Sequence, residues 1–367
     1  MIWPTKKLGE ICQIRTGKKD VNEGNPEGKY PFFTCSREIS HSDVYSFDAE
    51  AILVAGNGDV GATKYYKGKF EAYQRTYVLD HFKEGDVRFI YYFILAGLKK
   101  KLLQDKSGST MPYVRKGDLA SFEIPLPPLS EQQKIVYVLD SIQEAVGVQD
   151  KIIEKTKELK RSLMHKLFRE GTRGAKLKKT EIGKIPENWE VVRFTDSLDK
   201  KAKFKIGKLK QKEYEKSGKY PIIDQGNENV AGYSNEEAKA YQGKLPIIIF
   251  GDHTRVVKFV NFPFIIGGDG VKILIPKEES FDAKFFYYLL LNLKIESRGY
   301  NRHFPILKEK LIPLLPFSEK REIAEILQTV DQKIEIEQKK KGLYEELFKT
   351  MLNKLMRGEI RVNNINL

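Results

Sequence analysis

One phrase is written twice in this chain. IPLPPLSEQQKIVYVLDSIQEAV runs from Ile124 to Val146, and IPLLPFSEKREIAEILQTVDQKI runs from Ile312 to Ile334, 188 positions later. The repeat reaches further. KLFREG at Lys166–Gly171 answers KLMRGE at Lys354–Glu359, and GKYPFF at Gly28–Phe33 answers GKYPII at Gly218–Ile223. WPTKKLGEI near the start has a looser counterpart in PENWEVVRF at Pro186–Phe194. A period this long is far beyond a solenoid unit, so each copy is a domain followed by a helix. A chain of 367 residues has room for two such domains with sizeable cores.

In each copy, short β-branched and aromatic runs are cut by glycine turns. AILVAGNGDVGATKYYKGKF and LPIIIFGDHTRVVKFVNFPFIIGGDG both read as strands. VRFIYYFILAGLKKKLLQ and AKFFYYLLLNLKIES read as matching buried helices. The prolines of the repeated phrase then block any earlier helix start, and Ser130 and Ser318 are expected as N-caps, with Gln133 completing a capping box in the first copy only. Beyond them the apolar spacing alternates four and three. It passes through Ile135, Leu139, Ile142, Val146, Gln149 and Ile153 in one helix, and Ile323, Leu327, Val330, Ile334, Glu337 and Lys341 in the other. That is a coiled-coil seam. The first helix, about 40 residues long, carries the chain about 60 Å. The second must return along it, so the pair is expected antiparallel, with Gln149 facing Lys341 and Glu337 facing Ile153. A seam of about 33 residues would space two heads by about 50 Å, or about 14 base pairs of duplex.

Charge points to the partner. The net charge is +14, and it is patched: Lys155–Lys179 holds ten Lys/Arg against Glu158 and Glu170. Such an excess favours a polyanion, foremost nucleic acid. No apolar stretch is long enough for a membrane span and the N-terminus lacks a signal-peptide core, so a cytoplasmic location with no membrane partner is expected. Cys12 and Cys35 are too few for a disulfide framework. There is no phosphate-binding P-loop and no Asn-Pro-Pro-aromatic tetrad. The five histidines have no metal-ligand spacing, and GNGDVG at Gly56–Gly61 is followed by a strand-like run where a dinucleotide loop needs a helix. Hence no catalytic, metal or cofactor site is expected.

Base reading needs polar and cationic side chains on exposed loops. In the first copy the candidates are Asn57, Lys64, Tyr65 and Arg75, and the stretch before the hinge with Ser109, Thr110, Tyr113, Arg115 and Lys116. In the second they are His253, Thr254, Arg255 and Lys258 beside Asp252, and Arg298, Tyr300, Asn301, Arg302 and His303.

The paired IPLPPLSEQQKI and IPLLPFSEKREI phrases, each leading into a long helix with a basic KLFREG or KLMRGE ending, resemble the specificity subunit of a Type I restriction–modification system. The resemblance covers nearly the whole chain. The second copy departs from it at Glu319-Lys320, where Glu-Gln is usual. The fold class it implies is α+β: two globular mixed α/β target-recognition domains separated by an antiparallel two-helix coiled coil, related by an internal pseudo-two-fold repeat. The expected boundaries are 1–128 for the first domain, 129–170 for the first helix, 171–316 for linker and second domain, 317–360 for the second helix and 361–367 for a tail. The resemblance further implies double-stranded DNA as ligand, a pair of methyltransferase subunits docked on the helices, and restriction or translocase subunits joining them. S-adenosylmethionine, ATP and Mg would belong to those partners. Two alternatives stay open: a specificity subunit of another restriction or methylation system, and a basic scaffold for RNA or an acidic protein.

Overall fold

The computed structural model describes residues 3–104, 113–278, 281–297, 299 and 301–362. The architecture is mixed α/β with an internal repeat. Its helices are α1 (Leu8–Ile11), α2 (Val87–Gln104), α3 (Lys116–Ala120), α4 (Leu129–Glu170), α5 (Ala283–Asn292), α6 (Phe304–Glu309) and α7 (Phe317–Met356). Two compact units result: Met1–Asp150 with Lys339–Leu367, and Lys151–Gln338. Each long helix gives one part of its length to each unit.

In the first unit a six-stranded sheet has the order Gln13–Thr16, Thr76–Asp80, Phe47–Ala55, Thr63–Ala72, Tyr30–Phe33, Ser40–Ser42. Its pairs are antiparallel except for Tyr30–Phe33 beside Thr63–Ala72. The strand ILVA is buried throughout, which explains its continuous apolar run. Helix α2 brings Phe89, Ile90, Tyr92, Ile94 and Leu98 against Ile52, Val54 and Leu79 of the sheet. Ile135 and Leu139 of α4 and Leu352, Leu355 and Met356 of α7 close the same core.

The second unit repeats the plan with its sheet in pieces. Val257–Val260, Ile247–Gly251 and Val271–Leu274 form one antiparallel sheet; Lys208–Leu209, Ile265–Gly267, Tyr220–Ile223 and Gly232–Ser234 form another. Phe285, Phe286, Tyr288 and Leu289 of α5 pack with Ile248, Phe250, Ile323 and Leu327. A two-strand clasp recurs as well: Thr5–Lys7 pairs with Glu123–Pro125, and Glu190–Arg193 with Leu311–Leu314. The hairpin of Leu177–Thr180 and Gly183–Pro186 stands where the sequence predicts a linker.

The helix pairing is antiparallel within each unit. In the first, Asp150 meets Lys341 at 2.7 Å, while Glu131 at the start of α4 receives Arg361, just past α7, at 2.6 Å. In the second, Lys160 meets Asp331 at 2.5 Å, and Thr172, just past α4, donates its N–H to Glu319 at 2.9 Å. Every expected seam position is buried or half-buried. The polar seam positions are buried, each in its own unit: Gln149 is 4% exposed and Glu337 5%. Lys341 takes Asp150 as its partner, one residue from the expected Gln149. A polar layer weakens a seam and fixes its register.

The helix starts differ from expectation. Both begin one residue before the serines, and the carbonyls of Pro128 and Pro316 accept the Glu131 and Glu319 N–H groups at 2.8 and 3.1 Å. A proline can accept with its carbonyl while lacking the N–H that a helix start leaves unused, so it takes the cap position and the serines fall inside the first turn. Gln132, not Gln133, does the bonding there: its amide accepts from Asp86 N–H at 2.8 Å and donates to the Pro127 carbonyl at 2.7 Å.

Candidate nucleic-acid interface

Each unit builds its candidate loops on the same backbone junction. In the first, Gly56 N–H donates to the Arg75 carbonyl at 2.9 Å, and the Gly56 carbonyl accepts Val114 N–H at 2.8 Å. A Cβ at Gly56 would lie 2.5 Å from the Arg75 carbonyl oxygen, so this approach requires glycine. The Tyr77 hydroxyl donates to the Val114 carbonyl at 2.9 Å and pins the third segment. A hollow of about 260 Å³ lies over the junction. Its wall gathers Asn57, Arg75 and Tyr113 from both predicted stretches, with Thr16, Gln74 and Tyr77 beside them. Arg115 folds back on Tyr113, with Nη2 2.6 Å from the hydroxyl and the guanidinium 5.2 Å from the ring centre. Lys116 is exposed at the start of α3.

In the second unit Asp252 N–H donates to the Gly270 carbonyl at 2.7 Å, and the Asp252 carbonyl accepts His303 N–H at 2.7 Å. The carboxylate of Asp252, 2% exposed, accepts Phe304 N–H at 2.8 Å and lies 3.7 Å from Lys272. So the 252–258 and 301–303 stretches meet, as do their counterparts in the first unit. Arg255 sits in left-handed backbone (φ 63°) and donates to the Ile295 carbonyl at 3.0 Å. His253 N–H and the Thr254 hydroxyl both bond Gln225, at 3.1 and 2.6 Å. Asn301 and Arg302 are exposed. Ser109, Thr110, Arg298 and Tyr300 lie outside the described residues.

Four predicted residues have their polar groups engaged within the fold, and two of them, His303 and Lys258, are buried. His303 is fully buried, its Nδ1 3.0 Å from the Asp252 carbonyl. Lys258 is 6% exposed; it donates to the Glu228 carbonyl at 2.5 Å and lies 3.6 Å from Asp224. Lys64, half-buried, does the same work in the first unit by donating to the Ser36 carbonyl at 2.7 Å. Burial pushes both ammonium groups below the ordinary lysine range. Tyr65 donates to Glu50 at 2.5 Å beneath the Arg88 guanidinium, 4.5 Å from its ring centre; burial, then Glu50, pushes its hydroxyl upward. Lys258, Lys64 and His303 hold loop carbonyls, and Tyr65 ties its strand to the paired strand of Glu50; neither Lys64 nor Tyr65 lines the hollow. Sequence reasoning passed over Thr16 and Gln74 in the hollow, and the loops after the GKYP repeats. There Arg37 projects, its side chain 87% exposed and paired with Asp59 at 3.2 Å. Continuing the GKYP repeat a few residues further was the signal that could have found that loop.

A family model described as the Type I restriction modification DNA specificity domain matches residues 2–158 and again 186–343. The chain belongs to this family. It is a DNA specificity subunit of a Type I restriction–modification system, and the double match is the repeat seen in the sequence. The specificity subunit is similar to the Type I restriction enzyme EcoDI specificity subunit of Escherichia coli, 34% identical over 226 residues, or 55% of this chain; that match spans half the length of the relative. It is similar along nearly its whole length to the Type I restriction enzyme MjaVIII specificity subunit of Methanocaldococcus jannaschii, 28% identical over 413 aligned positions, covering 99% of this chain and 94% of the relative. The fold is like that of the crystal structure of the Type-I restriction-modification system S subunit from M. genitalium, with TM-score 0.62, 20% identity and 96% of each chain covered. Among the described residues of the specificity subunit, no group of three or more His, Cys, Asp or Glu could hold a metal ion, and no helix is long and apolar enough to cross a membrane.

Proposed function

We propose that this specificity subunit reads a bipartite, asymmetric duplex, one half-site per unit, and that it directs partner subunits without catalysing a reaction itself. One observation carries the reading: the same backbone junction is built twice and carries unlike polar side chains, exposed except for the half-buried Asn57. Asn57, Gln74, Arg75 and Tyr113 surround the first; Thr254, Asn301 and Arg302 surround the second. Amide and guanidinium groups can each make two hydrogen bonds to a purine edge in the major groove, so unlike sets read unlike bases. The charge of +14 supplies the sequence-independent phosphate attraction on which such reading rests.

The solvent faces of the long helices support docking of a methyltransferase pair. Tyr137, Val148, Leu343 and Leu347 of the first unit, and Leu159 and Ile336 of the second, are large apolar side chains left exposed. Restriction subunits would join that assembly, and S-adenosylmethionine, ATP and magnesium are assigned to these partners. The paired helices would set the gap between half-sites, so removing equal whole heptads from both shortens the gap and leaves both blocks of sequence unchanged.

Mapping of methylated bases in cells that carry only this chain and its methyltransferase tests the reading. Two unlike blocks separated by unspecified positions are expected. One continuous or palindromic block, or methylation without sequence preference, would overturn it.

A further inference from the structure

We propose that Asp269 is a base-reading residue of the second half-site, taking a hydrogen bond from an exocyclic amino group, cytosine N4 or adenine N6. The inference rests on the reading that each unit takes one half-site. It starts from the junction: Arg75 in the first unit and Gly270 in the second lend their carbonyls to the same bond, from Gly56 N–H and Asp252 N–H. The Gln74-Arg75 turn and the Gly268-Asp269-Gly270 turn therefore occupy the same place in the repeated frame. Each leads into the strand that flanks the central one, Thr76–Asp80 or Val271–Leu274. Whatever the first turn reaches in one half-site, the second reaches in the other.

The two turns have opposite chemistry. The first offers an amide and a guanidinium to the hollow. The second offers a carboxylate whose side chain is 91% exposed. Gly268 and Gly270 both take left-handed backbone (φ 62° and 79°), so the turn stands Asp269 at its apex. A Cβ at Gly270 would lie 2.7 Å from the Gln225 side chain, which keeps the turn tight against its neighbour loop. An exposed carboxylate on a face meant for phosphates opposes binding unless it meets a donor. Acidic side chains in the major groove accept from exocyclic amino groups. Lys208 pairs with Oδ1 of Asp269, which offsets its charge and leaves Oδ2 for the base.

The test uses the full chain with its methyltransferase, binding duplexes randomised across the target, with wild type, D269A and D269N compared. The expected result is that D269A loses discrimination at one position of the second block, about tenfold or more, while the first block is unchanged. The base lost at that position distinguishes cytosine from adenine. D269N, which keeps an acceptor, should retain part of the preference. If D269A leaves both blocks as they were, or raises affinity for all sequences alike, Asp269 is no reader and the inference falls. If wild type itself selects no two-block target, the underlying reading falls with it.

Discussion

The backbone N–H of His303 donates to the carbonyl of Asp252 at 2.7 Å, as Val114 donates to Gly56 at 2.8 Å in the other unit. This bond joins the loop leaving the central strand to the segment that starts the last short helix. It turns two distant stretches of sequence into one surface. The histidine ring adds its own contact to the same carbonyl from a fully buried position.

Replacing His303 by alanine removes that contact and leaves a cavity. The expected cost is about 2–4 kcal/mol of stability in the second unit. Urea unfolding measures it. Affinity for duplex should fall for all second half-sites alike, because the whole surface loosens and no single base contact is deleted.

Glu319, 1% exposed, accepts the Trp189 indole N–H and the Thr172 N–H, each at 2.9 Å. Alanine there strands the buried Trp189 donor and the half-buried Thr172 N–H, at about 2–4 kcal/mol. Its counterpart Glu131 takes a two-point bond from Arg361, whose side chain is 37% exposed, and water can replace part of that bond. Glu131→Ala should therefore cost less than Glu319→Ala. Denaturation of the two variants, followed by tryptophan emission, compares them.

Lys320 is 2% exposed, with its ammonium 4.8 Å from the centre of the Phe281 ring. Burial pushes its pKa down to about 8. In the unfolded chain a lysine titrates at about 10.4. Between these values the unfolded chain holds more protons, so this group makes stability rise with pH; below about 8 its penalty is constant. Lys320→Met keeps the packing and removes the penalty. It should stabilise by about 1–3 kcal/mol at pH 7, an advantage that shrinks towards zero by about pH 10.5. Paired urea titrations across that range check it; a difference independent of pH would contradict the assignment.

The repeat made most of the architecture legible, because a duplicated phrase forces a duplicated environment. Seam positions from Ile135 to Leu355 followed from spacing alone, since burial on a helix pair is periodic. Position within a loop was another matter. Lys258, Lys64 and His303 look like readers in sequence, where a lysine or histidine in a polar turn shows no sign of which way it points. Folding turns them inward to hold carbonyls. Asp269 is the converse case: an acid alone has little claim on DNA, and its candidacy comes from a turn that matches Gln74-Arg75 in the repeated frame. The hairpin at Leu177–Pro186 has two-strand pairing that its charged, lysine-rich sequence does not advertise.

In the proposed function one frame, built twice, reads two separate half-sites. The most direct test is methylation mapping with Arg75→Ala and Arg302→Ala in otherwise intact complexes. Each substitution should cost about 1–3 kcal/mol of discrimination at one position, Arg75→Ala within one block of the target and Arg302→Ala within the other. Relaxation of the same block by both, or a uniform loss across all positions, would contradict it.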